Sequence, residues 1–127
     1  MIGQANQSFS GQSTPNQYVP LAYMRFDSTL NATLWTGSSP GNTNTNVDKM
    51  NDDEWHHLVL AGGTNGQTIY IDGVPSGTNS AHNPLASLTH NYIGLAYIAG
   101  SWPDQSGNIG WNLFNGSIDD IRIYDRV

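Results

Sequence analysis

Helix-breaking residues are spread so evenly along this chain that no helix of useful length fits between them. The 127 residues include 14 glycines and 6 prolines, and these interrupt every window in which apolar residues could recur at helical spacing. Apolar and polar residues instead alternate in short runs, which is the period of β-strands. The sequence therefore predicts an all-β fold, and its length predicts a single domain over residues 1–127.

The strongest local signal is Asp72-Gly73, which separates the run Gln67–Ile71 from a second run that begins at Val74. A type I′ turn needs two consecutive residues at positive φ, and Asp-Gly supplies them, so this dipeptide predicts a β-hairpin. Pro75 has no N–H to donate to a ladder. The returning strand is therefore predicted to lie at the edge of its sheet.

The first half of the chain is predicted from its alternation and composition. Residues 18–36 alternate as two strands joined near Asp27-Ser28, whereas residues 1–17 are polar and read as a loop or a weak first strand. Residues 37–51 hold glycine, proline, asparagine and threonine, which predicts a loop. Trp55–Ala61 carries apolar side chains on both parities, which favours a central strand covered on both faces.

The second half of the chain ends in two further runs. A strand is predicted around Tyr92-Ile93-Gly94-Leu95, and the last strand is predicted over Ile118–Tyr124. A β-bulge near Asp119-Asp120 would turn the four apolar residues of this end toward one core face. These four are Phe114, Ile118, Ile121 and Ile123.

The charge balance excludes two classes of partner. Four Lys and Arg residues stand against ten Asp and Glu residues, and the net charge is −6. Such a surface repels nucleic-acid phosphates and anionic lipid headgroups, so neither nucleic acid nor a membrane is expected as a partner. There is no cysteine, only 11% of residues are charged, and Asn, Ser, Thr and Gly take their place. This composition is typical of domains on the extracellular side or on a cell or virion surface. Met1–Gln4 opens no signal peptide.

Four segments, in this order, carry a family resemblance. They are Asp53-Glu54-Trp55-His56-His57, Tyr70-Ile71-Asp72-Gly73, Tyr92-Ile93-Gly94 and Phe114-Asn115-Gly116-Ser117-Ile118-Asp119-Asp120-Ile121-Arg122-Ile123-Tyr124. Together they resemble the latter part of a laminin-G-like domain of the concanavalin A-like lectin/glucanase superfamily. The resemblance covers residues 52–126 firmly and residues 18–36 more loosely. It implies an antiparallel β-sandwich of the jelly-roll type whose members usually bind and do not catalyse.

The family's opening strands, which normally pair with the last strand, have no counterpart before Met1. The resemblance thus implies a sandwich that is incomplete at its N-terminus and a last strand at an unprotected edge. We expect either a fragment of a longer product or a homo-oligomer that completes the sheet.

Catalysis is not expected. Glycoside hydrolysis needs a pair of carboxylic residues about 5–10 Å apart, and the Glu-x-Asp-x-x-Glu signature of the related glucanases is missing. Glu54 is the one glutamate. His56 and His57 are neighbours on a predicted strand and face opposite sides, so they cannot chelate a metal together; a hydrogen-bonded His57 in the core beside Trp55 is the expected role.

Calcium is the one cofactor considered. The residues Asn42, Asn44, Asn46 and Asp48 alternate as in a calcium loop, but the run lacks the turn glycine and carries little charge. Many family members bind calcium through the aspartate that matches Asp119. The resemblance implies Asp119 as a metal ligand, while the alternative is that it caps the predicted bulge through backbone N–H groups.

The segment from Tyr97 to Trp111 is the candidate ligand site. Aromatic faces can stack on the C–H surfaces of sugars while carboxylates and amides bind their hydroxyl groups. The candidate residues are Tyr97, Trp102, Asp104, Gln105, Asn108 and Trp111. The alternative is that Tyr97 and Trp111 cap the core and only Trp102 is exposed.

Three functions follow from these readings. The first is a non-catalytic, lectin-like module that binds carbohydrate or a glycosylated surface within a larger extracellular or surface assembly. The second is a structural or oligomerisation domain of an adhesin or virion surface protein with no small ligand. The third, a glycan-degrading enzyme, would need two carboxylates facing each other in a groove.

Overall fold

The computed structural model describes residues 1–10, 13–34, 49–80, 88–99, 102 and 109–125. These residues form nine strands and no helix: β1 Ile2–Ala5, β2 Tyr18–Met24, β3 Leu30–Ala32, β4 Leu58–Gly63, β5 Gly66–Ile71, β6 Val74–Asn79, β7 His90–Ile93, β8 Leu95–Ile98 and β9 Gly110–Leu113. All pairings are antiparallel. The prediction of an all-β antiparallel sandwich is confirmed. No helix long and apolar enough to cross a membrane occurs in the part of the chain described.

The strands form three sheets. The largest has the order β3-β2-β1-β7, the second the order β4-β5-β6, and the third is the pair β8-β9. The strand β1 lies inside the largest sheet, because it pairs with β2 on one side and with β7 on the other. The predicted loop or weak first strand at residues 1–17 is therefore an internal strand over Ile2–Ala5.

The core has two parts because β2 presents apolar side chains to both faces of its sheet. Val19 and Tyr23 pack with Ala96 and Ile98 of β8 on one face. On the other face, Ala22 packs with residues of β3 and β5, which are Leu30, Ala32, Ile69 and Ile71. The four-stranded sheet is thus the middle layer between the β4-β5-β6 sheet and the β8-β9 pair.

Gly3 allows β1 to pack directly on β8. A Cβ atom at this position would lie 2.7 Å from the Ala96 Cβ atom and 3.0 Å from the carbonyl oxygen of Leu95. Carbon atoms in contact normally stand about 3.5–4.0 Å apart. A residue with a side chain would therefore force β1 and β8 apart.

The hairpin predicted at Asp72-Gly73 is confirmed. It joins β5 to β6, and Asp72 and Gly73 have φ angles of 52° and 81°, both in the left-handed region that a type I′ turn requires. The strand β6, which contains Pro75, lies at the edge of its sheet as predicted. The two strands predicted in residues 18–36 are β2 and β3, and the turn between them places Ser28 at a φ of 68°.

The central position predicted for Trp55–Ala61 is wrong. The strand begins at Leu58 and is an edge strand, paired with β5 alone in the described part of the chain. Trp55 lies before the strand and is 69% exposed, and Val59 is 38% exposed. The apolar residues on both parities therefore do not indicate burial on both faces, because the outer face and the outer edge of this strand are open to solvent.

The strand predicted over Ile118–Tyr124 does not form in the structure. Residues 115–125 carry no strand pairing and are exposed throughout. Asp120 has a φ of 50°, so the chain bends where the bulge was predicted. Ile118, Ile121 and Ile123 therefore do not share a core face, because no described strand offers them a ladder.

Candidate functional site

The residues predicted at the two ends of the candidate ligand site, Tyr97 and Trp111, lie side by side. Tyr97 is in β8 and Trp111 in β9, and they are directly opposite in the register of this pair. Their ring centroids are 5.4 Å apart at an interplanar angle of 77°. This is the edge-to-face arrangement that aromatic quadrupoles favour.

Two further aromatic rings complete the cluster, and sequence analysis did not assign either to the site. Phe9 and Tyr92 contact Trp111 at centroid distances of 5.3 Å and 5.2 Å, again edge to face. Phe9 is the one aromatic residue in the polar stretch 1–17, and that isolation was the signal that could have singled it out. Tyr92 lies in a strand that was predicted, but its neighbours depend on the fold.

Hydrogen bonds hold these rings in position. The Tyr92 hydroxyl donates to the carbonyl oxygen of Gln7 and accepts from the backbone N–H of Phe9, each at 3.0 Å. The Trp111 indole N–H donates to the carbonyl oxygen of Ser13 at 3.0 Å. The segment that follows β1 is thereby tied to β7 and β9, and the rings are preorganised before any ligand arrives.

Three of the four clustered rings, those of Phe9, Tyr97 and Trp111, line an open cleft of about 480 Å³. Small-molecule sites typically measure about 300–1,000 Å³. We call this the aromatic cleft, and its walls are Phe9, Thr14, Tyr97, Ile109, Gly110, Trp111 and Leu113. Ile109 and Leu113 are 71% and 75% exposed, so the cleft has apolar edges that solvent reaches.

Trp102 does not belong to this surface. Trp102 and Tyr97 are both buried, at 7% exposure, but Trp102 packs in the core cluster with Val19 and Tyr23 and is not among the residues that line the aromatic cleft. The exposure predicted for Trp102 is therefore wrong: the neighbouring Pro103 disfavours a regular strand, but a side chain can be buried from irregular backbone. Asp104, Gln105 and Asn108 lie outside the described residues.

A second cleft, of about 360 Å³, lies around the Trp-His-His segment. Its lining residues are Trp55, His56, His57, Asp72, Asp119 and Asp120. His56 is held between two carboxylates, with its Nδ1 atom 2.8 Å from Asp72 and its Nε2 atom 3.1 Å from Asp52. Both ring nitrogens can donate at once only in the protonated imidazole.

The electrostatics of this cluster agree with its geometry. The hydrogen bond to Asp72, followed by the one to Asp52, raises the pKa of His56. The same bonds lower the pKa of Asp72 and Asp52. Asp72 also accepts the backbone N–H of His57 at 2.8 Å. The expected core role of His57 is wrong, because His57 is exposed and His56 makes the side-chain bonds.

Two of the carboxylates that line this cleft, Asp72 and Asp120, are held by other side chains. A general acid needs a raised pKa, whereas the pKa of Asp72 is lowered by its bond to His56. Asp120 forms a two-pronged ion pair with Arg122, at 2.9 Å and 3.0 Å. Each of these carboxylates is engaged in a structural contact.

Asp119 accepts a hydrogen bond from the backbone N–H of Asp120 at 2.8 Å. A contact of this kind, with a backbone N–H at the bend, is the alternative role expected for Asp119 from sequence. Calcium takes six to eight oxygen ligands, and no group of three or more His, Asp or Glu side chains that could hold a metal occurs among the described residues. The residues described around Asp119 do not fit such a site. The alternating residues 42–48 lie outside the described residues.

Comparison with known proteins places this chain in a family. Residues 2–127 match a laminin-G family model of the concanavalin A-like lectin/glucanases superfamily. Neither a curated protein nor a solved structure matches the chain. The chain belongs to this superfamily, as the resemblance implied, and the match reaches back through β1, beyond the segments on which the resemblance was based.

Proposed function

We propose that this laminin-G-like chain is a non-catalytic recognition module that binds carbohydrate in the aromatic cleft. The supporting observation is the cluster of Phe9, Tyr92, Tyr97 and Trp111, three of which line an open cleft of ligand size. Its superfamily contains lectins and glucanases, so a carbohydrate is the ligand class with most support.

The chemistry of the cleft suits a sugar ring. A pyranose has apolar C–H faces and a rim of hydroxyl groups, and proteins bind it by placing aromatic rings against those faces. The cleft combines aromatic walls with the exposed Thr14 side chain and the backbone of Gly110 at its border. The Trp111 ring is fixed by its hydrogen bond to Ser13 and by edge-to-face contacts with Phe9 and Tyr97, so little conformational entropy is lost on binding.

The test is a glycan array followed by fluorescence titration of soluble oligosaccharides that bind. Trp111→Ala removes the central ring of the cluster. We expect the affinity of this variant for the oligosaccharide to be at least about tenfold lower than that of the wild type, which corresponds to about 1.4 kcal/mol. Trp55→Ala is the matched control, because Trp55 is an exposed tryptophan in the second cleft. Far-ultraviolet circular dichroism checks that both variants are folded.

A second variant tests the same proposal by blocking the cleft without changing its packed rings. Leu113→Arg places a long charged side chain at the rim, where Leu113 is 75% exposed, so folding is unaffected. Loss of binding in Leu113→Arg and Trp111→Ala together supports the aromatic cleft. Loss in Trp55→Ala alone, or no glycan binding by the wild-type chain, overturns it.

A structural role is the second candidate, and one observation favours it. Four large apolar side chains between residues 118 and 124 are exposed, which is typical of a surface that contacts another protein. A chain that binds no glycan on the array but self-associates would have this role.

A further inference from the structure

The segment from Ile118 to Tyr124, here named the unpaired segment, carries more exposed apolar surface than any other seven-residue stretch in the described chain. Ile118, Ile121, Tyr124 and Ile123 are 37%, 41%, 66% and 93% exposed. Isolated apolar side chains on a surface are normal, but a contiguous group marks an interaction site.

The backbone of the unpaired segment is open as well. No backbone hydrogen bond joins residues 118–124 to any other described residue, and none of them belongs to a strand. Three of its seven residues are isoleucine and one is tyrosine, all with high β-propensity. The segment thus has the composition of a strand, and its backbone groups have no backbone partner among the described residues, although the Asp120 N–H donates to the Asp119 side chain.

Among the edge strands of the described residues, β4 is the longest that carries none of the features that prevent pairing; β7, β8 and β9 have only four residues each. The edge strand β4 has the sequence LVLAGG, with no charge and no proline, and its pairing with β5 is regular over six residues. The opposite edge, β6, contains Pro75 and has an irregular register with β5. In the four-stranded sheet, the edge strand β3 has only three residues. Short strands, prolines and bulges are the features that prevent edge pairing, and β4 has none of them.

The alternation of the antiparallel ladder shows which groups of β4 are free. The loop Thr64-Asn65 connects Gly63 to Gly66, which form the closing pair of the hairpin. Hydrogen-bonded and non-hydrogen-bonded pairs alternate from there, so the N–H and C=O groups of Leu58, Leu60 and Gly62 point to the outer edge. No strand of the described residues pairs with this edge, so these groups are available to a strand added alongside.

The unpaired segment begins next to this edge but turns away from it. Asp119 and Asp120 line the same cleft as Trp55 and His57, just before β4. The bend at Asp120 is held by the bond from its N–H to Asp119 and by its ion pair with Arg122. Exposure then rises to 93% at Ile123 and is 66% at Tyr124, so the apolar side chains beyond the bend are open to solvent.

We infer that two copies of this chain form a symmetric dimer in which the unpaired segment of each copy adds to the β4 edge of the other. Each copy has both the free strand and the free edge, so one two-fold axis satisfies both at once and closes the assembly. The addition is an intermolecular form of β-strand augmentation. A stable interface buries about 800 Å² per partner, and this area would come from the two strand pairings together with the exposed side chains of Trp55 and Val59.

The oligomeric state is measured by size-exclusion chromatography with light scattering. We expect twice the chain mass for the wild type and the single-chain mass for the double variant Ile121→Lys/Ile123→Lys. Both residues are exposed in the single chain, so these changes do not disturb its fold. Phe26→Lys is the control, because Phe26 is 60% exposed in the β2–β3 turn and we expect it to stay dimeric. A monomeric wild type, or a dimer that both variants retain, overturns the inference.

Disulfide trapping identifies the pairing, since the chain has no cysteine of its own. Val59→Cys and Ile121→Cys are prepared separately, mixed and oxidised. We expect a cross-linked species of twice the chain mass that contains one copy of each variant. If the two single variants do not cross-link but the double variant Val59→Cys/Ile121→Cys forms a disulfide within one chain, the segment pairs with its own β4 edge and the dimer is wrong.

Discussion

Replacing Gly3 by alanine tests the layer arrangement on which the aromatic cleft depends. The added Cβ atom would lie 2.7 Å from the Ala96 Cβ atom, 2.8 Å from the Ala96 Cα atom and 3.0 Å from the Leu95 carbonyl oxygen. Two of these three atoms are backbone, so the clash cannot be relieved by a side-chain rotation. Overpacking of this kind costs about 1–3 kcal/mol, and we expect the free energy of unfolding to fall by that amount.

Gly63→Ala is the matched control for this prediction. Both glycines lie in strands, but a Cβ atom at Gly63 has no neighbour within 4 Å. Alanine there reduces the freedom of the unfolded chain and changes stability by about +0.4–1 kcal/mol. Urea unfolding followed by tryptophan fluorescence measures both. With an m-value of about 1–3 kcal/mol/M, a loss of about 2 kcal/mol lowers the midpoint by roughly 1 M.

A double variant sharpens the result. Ala96→Gly removes the atom closest to the new Cβ but leaves the Ala96 Cα atom and the Leu95 carbonyl oxygen, so we expect it to recover part of the loss. The coupling energy of neighbouring residues is about 0.5–3 kcal/mol. If Gly3→Ala unfolds at the same urea concentration as Gly63→Ala, β1 does not pack on β8 and the arrangement described above is refuted.

Two other predictions concern polar groups. The pKa of His56 is raised by Asp72 and Asp52, so the stability that His56 contributes is full below its unfolded pKa of about 6.5 and is lost as pH rises through its folded pKa. The lowered pKa of the two carboxyl groups gives a contribution present above about pH 4 and lost as pH falls through their folded pKa. The stability difference between wild type and His56→Gln, from thermal unfolding at a series of pH values, should be largest between these limits; a difference that grows above pH 7 contradicts the assignment. The side-chain amide of Asn31 is fully buried and finds no hydrogen-bond partner among the described residues, which costs about 1–3 kcal/mol. Asn31→Leu should therefore raise the urea midpoint, and a lowered midpoint would mean that the amide has a partner.

Local chemistry explains what was predictable from sequence. The hairpin at Asp72-Gly73 depends on two adjacent residues and their φ angles, so its position and the strands beside it could be read directly. The same holds for the turn at Ser28 between β2 and β3. Proline at position 75 identified an edge for an equally local reason, the missing N–H.

Pairing partners explain what was not predictable. Ile2–Ala5 becomes an internal strand because β7, far along the sequence, pairs with it, and its small residues Gly3 and Ala5 give no hydrophobic signal. The strand beginning at Leu58 was predicted to be central because it has apolar side chains on both faces. Such a pattern does not show whether a neighbouring strand is present. Ile118–Tyr124 has the composition of a strand but no described partner.

The candidate site divides in the same way. Tyr97 and Trp111 were identified by residue type, and the β8-β9 register brings them together. Phe9 and Tyr92 join them through the tertiary fold alone. The exposure of Trp102 was misjudged because burial is decided by the packing of the whole domain, not by the residue that follows it.

The internal position of β1 also governs the order in which the chain can fold. Gln4 and Asn91, which pair across β1 and β7, are 87 residues apart. A ribosome adds about 5–20 residues per second, so β1 must wait roughly 4–17 s after its own synthesis before its second neighbour, β7, exists. During that interval β1 can pair only with β2, in a partial β3-β2-β1 sheet that still lacks its fourth strand. Because contacts of such sequence separation slow folding, β1 gains its second neighbour late, although β2 lies close to it in the sequence.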